Sequence, residues 1–334
     1  MNLKLKKKYL LLVFIFTQAA YSQEGIAVYS DYLTDNYYLI HPSMAGAANC
    51  AKLRLTGRGQ WFGQDEAPRL STLSFNSSVG ERSGVGAILF SDRNGYHSQN
   101  GVKLTYAHHI RFSRSELDLN QLSFGLSGVL IQSQLDETSF LDNQPFDPII
   151  GGVLQKDSYF NVDLGASYNY LEFYTHFTVK NLLNNFRREL YTEFESDNIR
   201  KYIWSAGYVF GGGEQLQWEP SVMFQFVEAT KERSIDLNLK VYKELDFGRM
   251  WGGLSYRRTF DGAEFLDGTN RGEQRLQYIT PIVGVNYNQF MFAYTYSYLT
   301  GNVRFDNAGF HQLTLGINLF CKREKYQCNC PAIN

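Results

Sequence analysis

The stretch FNVDLGASYNY, residues 160–170, decides which fold class this chain can adopt. Its even positions carry apolar or aromatic side chains, and its odd positions carry small or polar ones. This period of two indicates a β-strand whose two faces meet different surroundings. A soluble sandwich would turn the apolar face inward and the polar face to water. A transmembrane barrel would turn the apolar face to lipid and direct the carboxylate of Asp163 into a polar lumen.

The first 25 residues, MNLKLKKKYLLLVFIFTQAAYSQEG, have the organisation of a secretory signal peptide. Four lysines precede an apolar core at residues 9–16, which is too short to span a bilayer as a stable helix. We expect cleavage after Ser22, so that residues 1–22 are removed. The alternative is an uncleaved amphipathic N-terminus. No cysteine lies at the junction to accept a lipid.

The composition of the remaining chain favours a membrane barrel. Removing the signal leaves 312 residues with 28 basic and 33 acidic groups, and the basic residues are dispersed, which argues against a nucleic-acid-binding protein. Aromatic residues make up 16% of the whole chain, as barrels with aromatic girdles require. After the signal, no apolar run approaches the roughly 20 residues of a helical span. A protein integral to the membrane would therefore be a β-barrel.

Alternation of apolar and polar residues predicts about fourteen strands. Pro220 and Pro281 fall inside two of them, and each removes a backbone donor, which weakens those two assignments. The clearest strands are 102–112, 160–170, 234–242, 290–298 and 312–320; weaker ones fall near 52–61, 69–78, 84–90, 121–132, 172–179, 202–210, 216–227, 249–260 and 275–287.

Loop lengths test this interpretation, because outer-membrane barrels have short periplasmic turns and longer outer loops. With the N-terminus in the periplasm, six of the seven connections after odd strands match or exceed the length of every connection after an even strand. In this arrangement Lys103, Arg111, Asp163 and Asp236 face the lumen. The outward connections are 62–68, 91–99, 133–158, 180–200, 228–232, 261–273 and 299–310.

The sequence therefore predicts an all-β fold, a transmembrane outer-membrane β-barrel of about fourteen antiparallel strands. Beyond the signal, we expect an N-terminal periplasmic or plug segment at residues 23–51, the barrel at 52–320 and a cysteine-containing periplasmic tail at 321–334. The N-terminal segment is too long for a bare leader and is rich in tyrosine. Two positions remain open for it, the lumen and the periplasmic mouth.

The four cysteines lie close to the two ends of the predicted barrel. Because the first and last strands of a closed barrel pair, Cys50 and Cys321 should both lie at the periplasmic rim, and the periplasm permits disulfides. The simplest hypothesis is a Cys50–Cys321 bond, with Cys328 and Cys330 as alternative partners. Barrel shear could hold the pair beyond the roughly 7 Å Cα limit. A metal site is the other interpretation, although the tail lacks the usual Cys-x-x-Cys spacing.

No residue pattern predicts a catalytic, cofactor or metal site. His108 and His109 are adjacent, so on a strand they point to opposite faces and cannot chelate one metal together. The triplet Gly211–Gly213 lacks the Lys-Ser/Thr and the helix of a phosphate-binding loop and is better read as a periplasmic turn. We expect neither enzymatic activity nor a cofactor.

Two motifs lie near the start of the barrel, HPSMAGA at residues 41–47 and RGQWFGQDEAPRLSTLS at residues 58–74. They resemble the PorP/SprF family of outer-membrane proteins of the type IX secretion and gliding system. His41 stands where the family usually has Asn. Segments 84–110, 122–129 and 176–184 are also similar to the family in order and spacing. The matching residues are Pro42, Gly46, Arg58, Gln60, Trp61, Gly63, Ala67, Pro68, Thr72 and Ser74.

The resemblance implies a barrel without enzymatic activity that works with type IX secretion components. Family members commonly serve the secretion or surface attachment of a large adhesin-like protein through the C-terminal domain of that protein. The motif residues are then candidates for partner contact, although for Trp61 an anchor at the membrane interface is the preferred interpretation and partner contact is the alternative. The loops 133–158 and 180–200, or the lumen, would hold the partner. The alternative function is an outer-membrane transport barrel for small or lipidic solutes.

Overall fold

The computed structural model describes residues 36–60, 66–113, 118–138, 152–183, 200–211, 216–260, 263–267, 270–300, 309–321, 326 and 333. Within them the chain forms a closed barrel of fourteen antiparallel strands, which confirms the fold class predicted from the alternation. Two short 3-10 helices, Tyr37–Leu39 and Pro42–Met44, precede the barrel. The strands are β1 (Ala51–Gln60), β2 (Arg69–Val79), β3 (Ser83–Asn94), β4 (His97–Arg111), β5 (Asn120–Asp136), β6 (Leu154–Tyr170), β7 (Phe173–Lys180), β8 (Lys201–Tyr208), β9 (Gln217–Val227), β10 (Arg233–Leu245), β11 (Gly248–Thr259), β12 (Ala263–Asp267), β13 (Asn270–Gln274), β14 (Gln277–Tyr287), β15 (Phe290–Thr300) and β16 (Phe310–Leu319).

Helices of membrane-spanning length and apolarity do not occur in the part of the chain that the structure describes.

The barrel closes by pairing its first strand with its last. β1 pairs with β16 along its whole length, from Ala51 opposite Leu319 to Gln60 opposite Phe310. β12 and β13 form a separate two-stranded sheet, so β11 pairs directly with β14. Closure leaves no strand edge in the barrel wall, and this meets the requirement that backbone polar groups within a bilayer be paired inside the protein.

The two faces of the wall are sorted by polarity as the sequence predicts. In β6, Asp163 is 2% exposed on the inner face, whereas Phe160 is 45% exposed on the outer face. The carboxylate of Asp163 accepts a hydrogen bond from Lys103 Nζ at 2.5 Å and another from the Asn181 backbone N–H at 3.0 Å. The charge in the middle of this apolar strand is therefore buried in the lumen and paired.

The other predicted lumen charges also face inward. Asp236 accepts two hydrogen bonds from the Arg257 guanidinium, both at 2.6 Å. Arg111 lies at the periplasmic end of β4 in the same inward register, with its guanidinium carbon 5.9 Å from the centre of the Tyr326 ring. His108 is exposed and His109 is buried, so this pair points to opposite faces.

Both questioned prolines lie inside barrel strands, at points where a neighbouring ladder stops or breaks. On β14, the pairing with β15 runs through Ile279, skips Pro281 and resumes at Ile282. On β9, the pairing with β8 ends at Ser221, one residue after Pro220. The missing N–H of each proline therefore coincides with a gap in one of its two ladders.

The loop prediction needs one correction. The predicted outward loop 91–99 is only a two-residue turn at residues 95–96, because β3 and β4 extend much further than their apolar alternation. Five of the seven outward connections, and not six, therefore match or exceed every inward one. The predicted loop 261–273 contains the β12–β13 hairpin. The outer parts of β3 and β4 have polar side chains on both faces, so the alternation does not identify them as strands.

Cys50 and Cys321 form a disulfide, with their Cα atoms 4.0 Å apart. Cys50 immediately precedes β1, and Cys321 lies two residues after β16. The bond therefore fastens the strands that close the barrel at their periplasmic ends. The alternative partners, Cys328 and Cys330, lie outside the described residues.

We predict that Leu104→Arg destabilises the barrel far more than Leu104→Ala does. Leu104 lies at the centre of β4 with its side chain 62% exposed on the outer face. An arginine at the bilayer midplane costs about 2–4 kcal/mol. The measurement is urea unfolding in phospholipid vesicles. Equal losses of unfolding free energy in the two variants would show that this face does not contact hydrocarbon.

Candidate functional site in the barrel lumen

The described part of the N-terminal segment, residues 36–50, lies inside the barrel and is called the plug below. Its side chains reach inward-facing residues of well-separated strands, including Ser74 on β2 and Glu219 on β9. Of the two positions that the sequence left open, these residues occupy the lumen. Further hydrogen bonds of the plug join Tyr38 to Thr105 at 2.9 Å, His41 to Thr178 at 2.8 Å and to Ser205 at 2.9 Å, Ser43 to Ser167 at 2.5 Å, and Gly46 to Asn76 at 3.2 Å.

The HPSMAGA motif forms the part of the plug that packs closest to the wall. Gly46 has a φ of +66°, and a Cβ added there would lie 2.6 Å from Ser77 O and from Gly84 Cα. On β5, two strands away from β3, a Cβ at Gly125 would lie 2.3 Å from the carbonyl carbon of Pro42. Pro42 and Gly46, two of the predicted motif residues, therefore seat the plug backbone against the barrel.

Glu219 is the anionic centre of the lumen. Its carboxylate accepts a hydrogen bond of 2.6 Å from each of three phenols, Tyr37, Tyr174 and Tyr242. Lys240 Nζ lies 3.2 Å from the same carboxylate, and the two charged side chains are 1% and 2% exposed. Such a buried charge is tolerated only when it is paired and hydrogen-bonded. Tyr37 belongs to the plug, so the plug supplies one of the three phenol hydrogen bonds to this carboxylate.

His41 is held beside this centre by rings and hydroxyl groups. Its ring centre lies 4.8 Å from that of His176, which is stacked 5.2 Å from Tyr174. Burial lowers the pKa of His41 well below its ordinary value, and the nearby His176 and Lys180 lower it further. His41 is therefore neutral at neutral pH, with one ring nitrogen donating and the other accepting toward Thr178 and Ser205.

Two described residues of the C-terminal tail, Tyr326 and Ile333, lie at the periplasmic end of the plug. The Asn49 backbone N–H donates to Ile333 O at 2.9 Å. Ile333 is 1% exposed and belongs to the same apolar cluster as Ile40, Met44 and Leu119. Burial raises the pKa of the Tyr326 hydroxyl, which lies in this tail. The described parts of both chain termini thus meet at one end of the lumen.

Of the remaining motif residues, Arg58, Gln60, Ala67 and Pro68 lie at the other end of the barrel. Arg58 faces the lumen, with its guanidinium carbon 4.2 Å from the centre of the Phe310 ring. The Gln60 backbone N–H donates to Pro68 O at 3.2 Å, and Ala67 is buried beside this contact. These four residues are therefore brought together at the base of the first outer connection, apart from the plug. Trp61 and Gly63 lie outside the described residues.

Sequence reasoning missed the central group of this site. Glu219, Lys240 and His176 occupy lumen-facing positions of their strands, and a charge or histidine at such a position was the available signal. The period of two gives the face of each residue but not its partner across the barrel. In the described residues, no group of three or more His, Cys, Asp or Glu side chains is arranged to hold a metal ion.

Comparison with known families gives one match over most of the chain. The family model described as "Type IX secretion system membrane protein PorP/SprF" matches residues 21–317. Comparison with curated proteins found no match.

Solved outer-membrane barrels are similar in structure at low sequence identity. A crystal structure of a Pseudomonas aeruginosa FadL homologue superposes with a TM-score of 0.50 and 8% identity, covering 86% of this chain and 94% of that one. A deltaS2 mutant of TodX, titled a monoaromatic hydrocarbon channel, gives a TM-score of 0.49 and 8% identity, covering 84% and 92%. At 8% identity, the likeness to the FadL homologue shows the barrel fold alone.

We predict that Tyr37→Phe loosens the plug more than Tyr242→Phe does. Each variant removes one phenol from Glu219, but only Tyr37 lies on the plug. A hydrogen bond to a charged group contributes about 1.5–3 kcal/mol, or roughly 10- to 100-fold in an opening equilibrium. The measurement is hydrogen exchange of the His41, Met44 and Ala45 amides, which are hydrogen-bonded within the plug. Equal acceleration in both variants would contradict this anchoring role of Tyr37.

We predict that acidification loosens the plug through His41. The pKa of His41 in the plugged state lies below its value of about 6.5 in the released state. The contribution of His41 to the free energy that favours the plugged state is therefore fully present above pH 6.5. Below pH 6.5 this free energy falls by about 1.4 kcal/mol per pH unit, until the pKa of the plugged state is reached. Exchange of the same amides, corrected for intrinsic rates, should accelerate between pH 7.5 and pH 5.

The matched control is His41→Asn, which replaces the imidazole with an amide that does not titrate in this pH range. His109 and His176 remain in both proteins, so the difference between the two pH profiles reports on His41. The variant should show the weaker pH dependence. Identical profiles would exclude His41 as the group responsible.

Proposed function

Because the chain belongs to the PorP/SprF family of type IX secretion system membrane proteins, we propose that it serves this system as a non-enzymatic outer-membrane barrel that binds protein partners. These partners are type IX secretion components and a large adhesin-like surface protein, recognised through its C-terminal domain. The role is in secretion or surface attachment of that protein, including its use in gliding motility. The family match over residues 21–317 is the observation that carries the proposal.

The plugged lumen supports protein binding over solute conduction. Plug side chains bridge the interior from β2 to β9, and one of them completes the shell around a buried carboxylate. Opening a path for solutes here would expose Glu219 and Lys240 and break the hydrogen bonds of His41. Such an interior is suited to a stable platform more than to an open pore.

The proposed contact surface is at the outer end of the barrel. The connections 137–153, 181–200 and 260–276 are much longer than any inward turn, and the third contains the β12–β13 hairpin. The family motif residues Arg58, Gln60, Ala67 and Pro68 lie at the same end and are proposed partner contacts. We also propose that residues 1–22 are cleaved as a signal peptide and that the tail 321–334 remains periplasmic.

The test is affinity capture of the tagged, full-length protein from detergent-solubilised outer membrane of the native cells. We expect type IX secretion components, or a large surface protein with a C-terminal secretion domain, to co-purify. Deleting the gene should deplete that surface protein from the cell surface, and restoring the gene should return it. An equally tagged barrel of another family from the same membrane is the control.

Two results would contradict the secretion role. Intact surface display of every type IX substrate in the deletion strain, combined with lost uptake of a small or lipidic solute, would reject the secretion role in favour of transport. Equal capture of the secretion components by the control barrel would likewise count against specific binding.

A further inference from the structure

The lipid-facing wall has a gap at the outer half of β1. Gly57 and Gly59 both point outward and leave this part of the strand without side chains. A Cβ added at Gly57 would meet no atom within 4 Å. The space forms a cavity of about 640 Å³, with Leu313 and His311 of β16 on one side and Arg69 and Ser71 of β2 on the other. This cavity is called the glycine gap below.

The glycine gap crosses from the apolar band of the barrel to its polar outer rim. Strand pairing places Leu315, Leu55 and Leu73 in one outward-facing row directly below it. The next row toward the outer rim contains Leu313, Gly57 and Ser71, and the row above that contains His311, Gly59 and Arg69. The lower end of the gap is therefore continuous with the lipid-facing surface, and its upper end lies at the level of charged groups.

Aromatic side chains mark this level as the outer membrane interface. Tyr294 lines the gap, and its hydroxyl group is hydrogen-bonded to His311 Nδ1 at 2.7 Å. Tyr296 packs on the same imidazole, with ring centres 4.8 Å apart. Outer-membrane barrels carry such aromatic girdles where hydrocarbon meets headgroups. A molecule in the gap would thus have its apolar part beside Leu313 and its polar part beside Arg69.

Among the described residues, the positive charge at the upper end of the gap exceeds the negative charge. Arg69 and Arg93 are cross-strand partners on the outer face, and like charges in this arrangement repel each other. Arg93 is paired with Glu66 at 2.7 Å. Arg69 is exposed and makes no hydrogen bond or ion pair with any other described residue. An anion at this position would relieve the repulsion, and a phosphate suits a guanidinium best.

We propose that the glycine gap binds a phosphorylated lipid of the outer leaflet, with an acyl chain over Gly57 and a phosphate at Arg69. The strands that carry the walls are each about 4.8 Å from β1, so their axes are about 10 Å apart. This width takes a single hydrocarbon chain but not an α-helix, whose diameter with side chains is about 10–12 Å. Basic groups beside a membrane-facing pocket are a known means of holding lipid headgroups. This lipid site does not rest on the proposed secretion role, although Arg58, Gln60 and Ala67 also line the gap.

Native mass spectrometry of the full mature chain in detergent tests the proposal, with diphosphoryl lipid A as the probe. We expect one tightly bound lipid per barrel. Gly57→Leu should place a side chain where the acyl chain would lie and abolish this binding, since the new side chain meets open space and leaves the wall intact. Arg69→Gln should weaken binding about tenfold, the effect of losing one charged hydrogen bond. Dephosphorylating the probe should have a similar effect on the wild type.

Two matched variants control for general effects on the barrel. Gly252 is another outward-facing glycine, on β11, where an added Cβ meets only Ile282 O at 3.5 Å, so Gly252→Leu should leave lipid binding unchanged. Lys243→Gln removes an outward cation at the other end of the wall and should also have no effect. Undiminished binding by Gly57→Leu, or equal affinity for the dephosphorylated lipid, would overturn the proposal. So would a dimer of the wild type that Gly57→Leu dissociates.

Discussion

The fold depends on one constraint, that every backbone N–H and C=O group inside a bilayer must be hydrogen-bonded within the protein. For a chain of strands, only closure of the sheet meets it, and here closure depends on the pairing of β1 with β16. The two strands are far apart in sequence, so bringing their ends together restricts the chain more than any local turn does. The Cys50–Cys321 disulfide fastens this seam at its periplasmic end.

Closure creates an interior that must be filled or hydrated. In this barrel, the lumen carries charged residues, hydroxyl groups and imidazoles, and the plug supplies many of their partners. Glu219 shows how the two parts depend on each other. Two of its phenols come from the wall and the third from the plug, so neither part alone satisfies the carboxylate. This mutual dependence holds the plug against the wall of the lumen.

Much of the architecture could be predicted from the sequence because a strand between lipid and lumen must alternate. The alternation places Asn161, Asp163 and Ser167 on the inner face, and the structure buries all three. The alternation stops being informative where the contrast between lipid and lumen ends. β3 and β4 continue outward beyond the apolar band with polar side chains on both faces, so the pattern predicts a loop at 91–99 where the structure has strands. Pro220 and Pro281 argue against two strands that the structure does contain. The sequence does not show that a neighbouring hydrogen-bond ladder stops or breaks beside each proline.

The sequence by itself determined the fold class and the face of each strand residue, since these follow from a period of two and from the need to close the sheet. It placed Cys50 and Cys321 at the same rim but left their pairing open, and the structure joins them. Only the tertiary structure decided that Tyr37, Glu219 and Lys240 meet, and that Gly57 opens a gap beside Arg69. The physical reason is that these contacts depend on the register between strands and on the path of the plug across the lumen. Both result from packing among residues distant in sequence, which no local pattern encodes.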